Sequence, residues 1–272
     1  MRELLKSDLR RIVKDKLFLI ACIIGAAMAV ATPLLYKAIL VIINLNPEDL
    51  MGLLPLSGKN MFFNAFSTGN NFGLILPILV IIVICKDFSY GTVRNKIICG
   101  KSRVKIFFSM FFSSTIVICG LMLVHALLTL AVASCFFKYQ AEEISLNTVL
   151  YALLSILFSL LIYVFISAIV CLLSVLMKNS GIAVVIYVAT VLFFTILGGV
   201  VSAATVVNAI FNKLPQKLFE ILGRINLFNA SYIGQGITYS ATDVLCFLIP
   251  AIVGTALILT LGIFVFRKKD LK

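Results

Sequence analysis

The sequence predicts an all-α polytopic membrane protein. It has six transmembrane helices, an N-terminal amphipathic interfacial helix and a short cytoplasmic helix between the second and third spans. Three observations carry this. Of 272 residues, 62% are hydrophobic and 12% are charged, with a mean hydropathy of +1.15; an average soluble domain has roughly 25% charged residues. Such a chain cannot cover a water-facing surface, which excludes a soluble enzyme, a disordered chain and a small disulfide scaffold. Apolar runs long enough to cross a bilayer recur six times. The formal excess charge of +12 falls entirely on one set of connections between those runs.

The chain starts with MRELLKSDLRRIVKDK. At 100° per residue, Leu4, Leu5, Leu9, Ile12 and Val13 fall on one face, while Arg2, Lys6, Arg10, Arg11 and Lys14 fall on the other. Lys16 can snorkel from the apolar edge. Residues 1–16 are therefore expected to form a basic helix lying along the inner leaflet before the chain turns into the membrane. The spans follow, since about 20 helical residues cross the hydrocarbon. The first runs from Leu17 to Tyr36, with continuation past Lys37 to Ile43 open. The second lies within Met61–Cys85, the third within Ile106–Phe137 and the fourth within Leu146–Met177. The fifth runs from Gly181 to near Val206, and the sixth is Val244–Phe266. Runs longer than the bilayer is thick imply tilt or extension past the headgroups. Alternating segments of about ten residues are absent, which argues against a β-barrel.

Charge orients the bundle. Residues 1–16, 86–105, 178–180 and 267–272 hold 17 Lys/Arg and five acids, a net +12. The opposite connections, with Lys37, hold six of each and are neutral. Both termini and the 86–105 loop are expected to be cytoplasmic, in a multi-pass protein of the bacterial plasma (inner) membrane. The basic residues sit where topology demands them, so nucleic acid is not the expected partner; the lipid bilayer is.

The spans offer little chemistry. None contains Asp or Glu, and Asp243 only precedes the sixth. An ion-driven carrier usually needs a carboxylate or a broken-helix ion site at the midplane; Pro33, Pro77 and Pro250 can kink helices but have no acidic partner. His125, the one histidine, is expected to be a neutral imidazole hydrogen-bonded across a helix interface. The seven cysteines contain no C-x-x-C pair, and all but Cys99 lie in apolar runs as small hydrophobes. No metal site or nucleophile–base pair emerges. Asn95–Ser102 fails as a phosphate loop because Asn95 stands where the first glycine belongs. The chain is thus not expected to be an enzyme or to hydrolyse ATP. Ala29-Val30-Ala31 is read as helix packing instead of a cleavage site, and Asn229-Ala230-Ser231 is too short a pattern to carry a glycosylation claim.

The loop after the second span is richer. Thr92 is expected to cap a short helix whose apolar side is Val93, Ile97 and Ile98. Gly100 suits the left-handed position after its end, and Ser102 can cap the third span. Arg94 and Lys96 would then face a soluble partner. Asp87-Phe88, Gly91-Thr92-Val93-Arg94-Asn95-Lys96 and Gly100-Lys101-Ser102-Arg103 together resemble the coupling segment of type-2 ABC transporter permeases, approximately D-F-x-x-G-T-[IV]-R-N-K followed by G-x-S-R. The entry helix, the six spans and the turn Lys178-Asn179-Ser180-Gly181 extend the resemblance over nearly the whole chain.

The resemblance implies a single permease domain working with two copies of an ATP-binding cassette ATPase and a second permease, identical or related. ATP and Mg would be bound by the ATPase, and this chain would hold no cofactor. Gly91, Thr92, Val93, Arg94, Asn95, Lys96 and Ile97 would seat in a groove of the ATPase, and Lys178–Gly181 would touch the same subunit. Residues 207–242 would form external re-entrant helices, for which Pro215 and Gly234-Gln235-Gly236 supply interruptions.

Small residues allow close helix approach, which makes Gly25, Ala29, Gly198 and Gly199 the candidates for pairing between permeases. Phe is abundant, at 22 residues, and Trp is absent, which favours an amphipathic or lipid-like cargo such as an antimicrobial peptide or antibiotic. The substrate-binding residues stay undefined. The alternatives are a regulatory membrane protein of similar fold without transport, and an ion-coupled carrier or channel. The orientation is testable: cysteine-accessibility labelling should reach positions near Lys59 and Lys217 from outside, and those near Lys6, Lys101 and Lys269 only from inside. External labelling at Lys101 would invert the topology.

Overall fold

A computed structural model describes residues 1–44, 56–68, 71–137, 146–177, 179–211 and 241–269. Among them the secondary structure is helical throughout. The order is α1 (Arg2–Lys14), α2 (Lys16–Ile43), α3 (Gly58–Asn64), α4 (Asn71–Ser89), α5 (Thr92–Ile98), α6 (Arg103–Phe136), α7 (Leu146–Leu176), α8 (Ser180–Phe211) and α9 (Ala241–Lys268). Six of these, α2, α4, α6, α7, α8 and α9, are long and apolar enough to cross a membrane. The protein is an all-α polytopic membrane protein.

The expected spans hold with one correction. The run Met61–Cys85 is not one helix: α3 ends at Asn64 and α4 begins at Asn71. Ser57 Oγ caps α3 by accepting from Asn60 N–H at 3.1 Å. The buried Tyr163 hydroxyl of α7 donates to the carbonyls of Phe66 at 3.0 Å and Ser67 at 3.4 Å. Those carbonyls lie outside any helical ladder, and a helix break in an apolar setting needs such a partner. The polar run Ser67–Asn71 marks the break in the sequence, between two apolar stretches that together are as long as one span. The first span does run through Lys37 to Ile43. Pro33, Pro77 and Pro250 all lie inside continuous helices. Of the proposed re-entrant region 207–242, residues up to 211 continue α8 and Ala241 opens α9; the remainder lies outside the described residues.

The short polar residues in α6 and α7 obey the same constraint. Ser159, Ser167 and Ser174 each donate to the carbonyl four residues earlier at 2.7 Å, which satisfies the hydroxyl within its own helix and keeps the packing surface small. The centre of the bundle is α4 and α7, the most enclosed spans, while α2, α8 and α9 are the most open. Their outward residues, such as Ile23, Val185, Phe193, Ile252 and Leu257, are more than half exposed and suit lipid contact.

Close approach is built on glycine. Gly25 of α2 is buried, and a Cβ there would come within 2.7 Å of the Phe72 ring. Ala29 is fully buried on the same seam. This corrects their assignment to pairing between permeases: both are consumed inside the chain, where α2 meets α4 and α6. Gly198 is buried too, whereas Gly199 is exposed with open space around it. In α4, a Cβ on Gly73 would collide with the Ser67 carbonyl oxygen and lie 2.8 Å from the Tyr163 hydroxyl. Gly73→Ala should therefore destabilise the fold by roughly 1–3 kcal/mol, read as a lower midpoint of thermal unfolding in detergent. Gly120→Ala, in α6 with nothing within 4 Å, should leave that midpoint unchanged or raise it.

Candidate functional site

The most elaborate polar structure lies at the end of the bundle where α1, α5 and the last residues of α9 meet, the basic end. It begins with α1. The face expected to be apolar is only partly so: the buried seam is Leu4, Asp8 and Ile12, while Val13 is 52% exposed. Asp8 sits one turn from each apolar neighbour, so the i, i+4 spacing that buries Leu4 and Ile12 buries it too. Its Oδ1 pairs with Lys96 Nζ of α5, and its Oδ2 accepts from Ser109 Oγ of α6 at 2.6 Å. One carboxylate thus joins three helices. The composition of residues 1–16, read for cations, hides this acid.

Two further ion pairs flank it. Arg11 of α1 pairs with Asp87 near the end of α4. Arg11 Nε and Asp87 Oδ2 are buried without hydrogen-bond partners among the described residues, and a buried polar atom left unpaired carries a desolvation cost. Asp15, between α1 and α2, pairs with Lys86 Nζ at 3.1 Å and caps α2 by accepting from Leu17 N–H at 2.9 Å. Partial burial pushes the Asp15 carboxyl up. The Leu17 N–H and the Lys86 ammonium together outweigh it, and the net shift is downward.

Helix α5 is fixed on one side and open on the other. Val93 is 1% exposed within the chain's own core, and Ile97 packs against that core. Tyr90 and Ile98 are 77% and 73% exposed, and Arg94 and Asn95 are exposed too. Two expectations are corrected. Ile98 does not belong to the apolar face, because that face is used against the bundle by Val93 and Ile97 alone. Lys96 does not face outward, because Asp8 holds it. The start of α5 also differs: Gly91, at φ +70°, is the N-cap and makes no side-chain bond, and Thr92 is already helical. The end is as expected. Gly100 takes φ +78°, with Gly100 N–H donating to Ile97 O at 2.9 Å and Lys101 N–H to Lys96 O at 3.2 Å, the paired bonds of a Schellman cap. Ser102 Oγ caps α6 by accepting from Lys105 N–H at 3.4 Å.

The same segment closes the end of the chain. Arg103 donates to the carbonyls of Phe266, Arg267 and Lys269 at 3.2, 2.8 and 2.7 Å. A cation there satisfies orphan carbonyls and opposes the negative end of the α9 dipole. Lys269 Nζ in turn donates to Val175 O at the end of α7. Phe266 is fully buried against Phe88 and Phe107. Of the turn 178–181, Lys178 lies outside the described residues. Asn179 Oδ1 accepts from Gly181 N–H at 2.8 Å and so starts α8, anchored by the fully buried Ala183 and Tyr187.

No group of three or more His, Cys, Asp or Glu side chains able to hold a metal occurs among the described residues. His125 matches its expectation: Nδ1 lies 2.9 Å from Gly25 O, and the ring stacks at a tilt on Phe72 at 4.8 Å. Among known proteins, no family model matches the chain and no curated protein shows a significant match. What the fold and its basic end define is a class: a six-span helical membrane protein with a short helix clamped to its entry helix.

The clamp predicts a pH response. The pKa of Asp15 is depressed in the folded state, so its contribution is fully present above the unfolded value, about 3.9, and is lost as pH falls through the lower folded value. Protection factors for hydrogen exchange at the start of α2 should fall on acidification through that range, and Asp15→Asn should abolish the acid step. Removing Asp8 acts at neutral pH. Asp8→Ala leaves Lys96 without its partner, which costs on the order of 3 kcal/mol, and should free α1 to proteolysis.

Proposed function

We propose that the chain is the permease subunit of an ATP-binding-cassette exporter, moving an amphipathic or lipid-like substrate outward on energy from a separate ATPase. The observation that carries this reading is the two-sidedness of α5. Its inner side is locked by Val93, Ile97 and the Lys96–Asp8 pair, while Tyr90, Arg94, Asn95 and Ile98 stand exposed. A loop that only held topogenic charge would need neither side. A helix built to take load from a docked subunit needs both.

The geometry gives a route for that load. Displacing α5 pulls on Asp8, and through it on α1 and on Ser109 of α6. Lys86 and Asp87 tie the end of α4 to the same entry helix. Motion of an ATPase would thus move α1, α4 and α6 together. The loop faces the cytoplasm in this reading, and the ATPase, in two copies, holds ATP and Mg. A second permease completes the assembly. The substrate class rests on the Phe-rich, carboxylate-free spans, which suit an apolar cargo such as an antimicrobial peptide.

The contact residues follow from exposure. Arg94 offers a planar cation able to pair with a carboxylate, and Ile98 offers apolar area. Truncating a buried contact of this kind costs on the order of 2 kcal/mol, or about thirtyfold in affinity. The double variant Arg94→Ala/Ile98→Ala keeps five of the six Lys/Arg in residues 86–105 and should insert normally. Pulled from its native membranes by a tag, it should lose its copurifying ATPase, and transport should fail. Retained ATPase and full transport in the correctly inserted variant would overturn the reading.

A further inference from the structure

Residues four apart lie one above another on a helix, and this divides α1 into four rows. Leu4, Asp8 and Ile12 are the buried seam. Beside it run Leu5, Leu9 and Val13, the first two half-buried and the last exposed. Lys6, Arg10 and Lys14 come next, all exposed, and Glu3, Ser7 and the half-buried Arg11 complete the circle back to the seam. The six side chains of these last two rows line a groove of about 440 Å³.

The groove is strongly cationic. Lys6, Arg10 and Lys14 form no ion pair among the described residues, and Glu3 is the one acid of the lining. Arg11 differs from them. Its Nη1 pairs with the buried Asp87, which holds that wall of the groove against the end of α4 before any occupant arrives. Topology asks only for positive charge near the end of a span; it does not ask for a concave cluster with a fixed wall. Arg and Lys grouped in this way supply charge-assisted donors to phosphate oxygens, and the Ser7 hydroxyl adds another donor.

The apolar row selects the source of the phosphate. Leu5, Leu9 and Val13 border the Lys6, Arg10 and Lys14 row along the helix. Asp15 then leads directly into α2, whose first turns carry the exposed Leu19, Ile20 and Ile23. A soluble phosphate would use the cations and leave the apolar row bare. A phospholipid uses both, with its phosphate in the groove and its chains beside the apolar row. An anionic head group suits the groove better than a zwitterionic one, which brings a cation of its own.

We propose that this groove of α1 binds the phosphate of an anionic phospholipid, with Lys6, Arg10, Arg11 and Lys14 as its partners. The site needs no docked ATPase and uses none of the exposed side chains of α5.

The test is native mass spectrometry of the full-length protein in detergent, offered dioleoyl phosphatidylglycerol and dioleoyl phosphatidylcholine. The two lipids share chains and phosphate and differ in net charge. Phosphatidylglycerol should be retained severalfold over phosphatidylcholine. Lys6→Gln/Arg10→Gln/Lys14→Gln should bring the two within twofold, and Gln sustains a helix about as well as Lys or Arg. Lys101→Gln/Lys105→Gln/Lys268→Gln removes the same charge from other exposed positions at the basic end and should keep the preference. Glu3→Gln, which removes the acid of the groove, should raise it and decides the matter if the triple groove variant fails to fold. Millimolar glycerol phosphate should leave the lipid bound. Equal retention of the two lipids, a preference that no folded groove variant changes, an equal loss in the control variant, or displacement by glycerol phosphate would overturn the proposal.

Discussion

Hydrocarbon offers no partner to a backbone amide, carbonyl or charge, and that constraint shapes everything here. It makes the spans helical, drives Ser159, Ser167 and Ser174 of α7 onto their own backbone and pushes ionised groups to the ends. It also explains why the breaks are so carefully covered. The turn between α3 and α4 leaves carbonyls outside any ladder, and a phenol from α7 serves two of them. The ends of α7 and α9 are served by Lys269 and Arg103.

At the basic end the same constraint produces organisation instead of mere accumulation of charge. The few acids there face a large excess of cations, and Asp8, Asp15 and Asp87 each hold one cation from another element. The pairs all join α1 to the α4–α5 segment. An amphipathic helix lying on a membrane needs only a basic face and an apolar one; a buried carboxylate in its seam makes it a strut. Exposed ion pairs contribute little, but Asp8 and Lys96 have little access to water, and such pairs fix geometry more than they add stability.

The same division runs through residues 86–103. Asp87, Gly91, Val93, Lys96, Gly100, Ser102 and Arg103 are each engaged within the chain, in pairing, capping, core packing or closing a neighbouring helix. The residues free to meet a partner are the ones between them. Most of this motif serves the fold, and Tyr90, Arg94, Asn95 and Ile98 are among the side chains it leaves exposed.

Local pattern was enough to establish the class, the six spans, the amphipathic entry helix and the short helix with its glycine stop. Each of these follows from local quantities: apolar run length, helical periodicity, and the left-handed conformation that Gly100 adopts without strain. His125 was also legible as an interface residue, since an unpaired imidazole cannot rest in lipid. Packing between helices settled that Asp8 meets Lys96 and Ser109, that Lys96 turns inward while Arg94 does not, and that Gly25 and Ala29 serve the chain's own core. The reason is physical: a small or charged residue states that something must approach it closely, while the identity of that neighbour depends on helices far away in the chain.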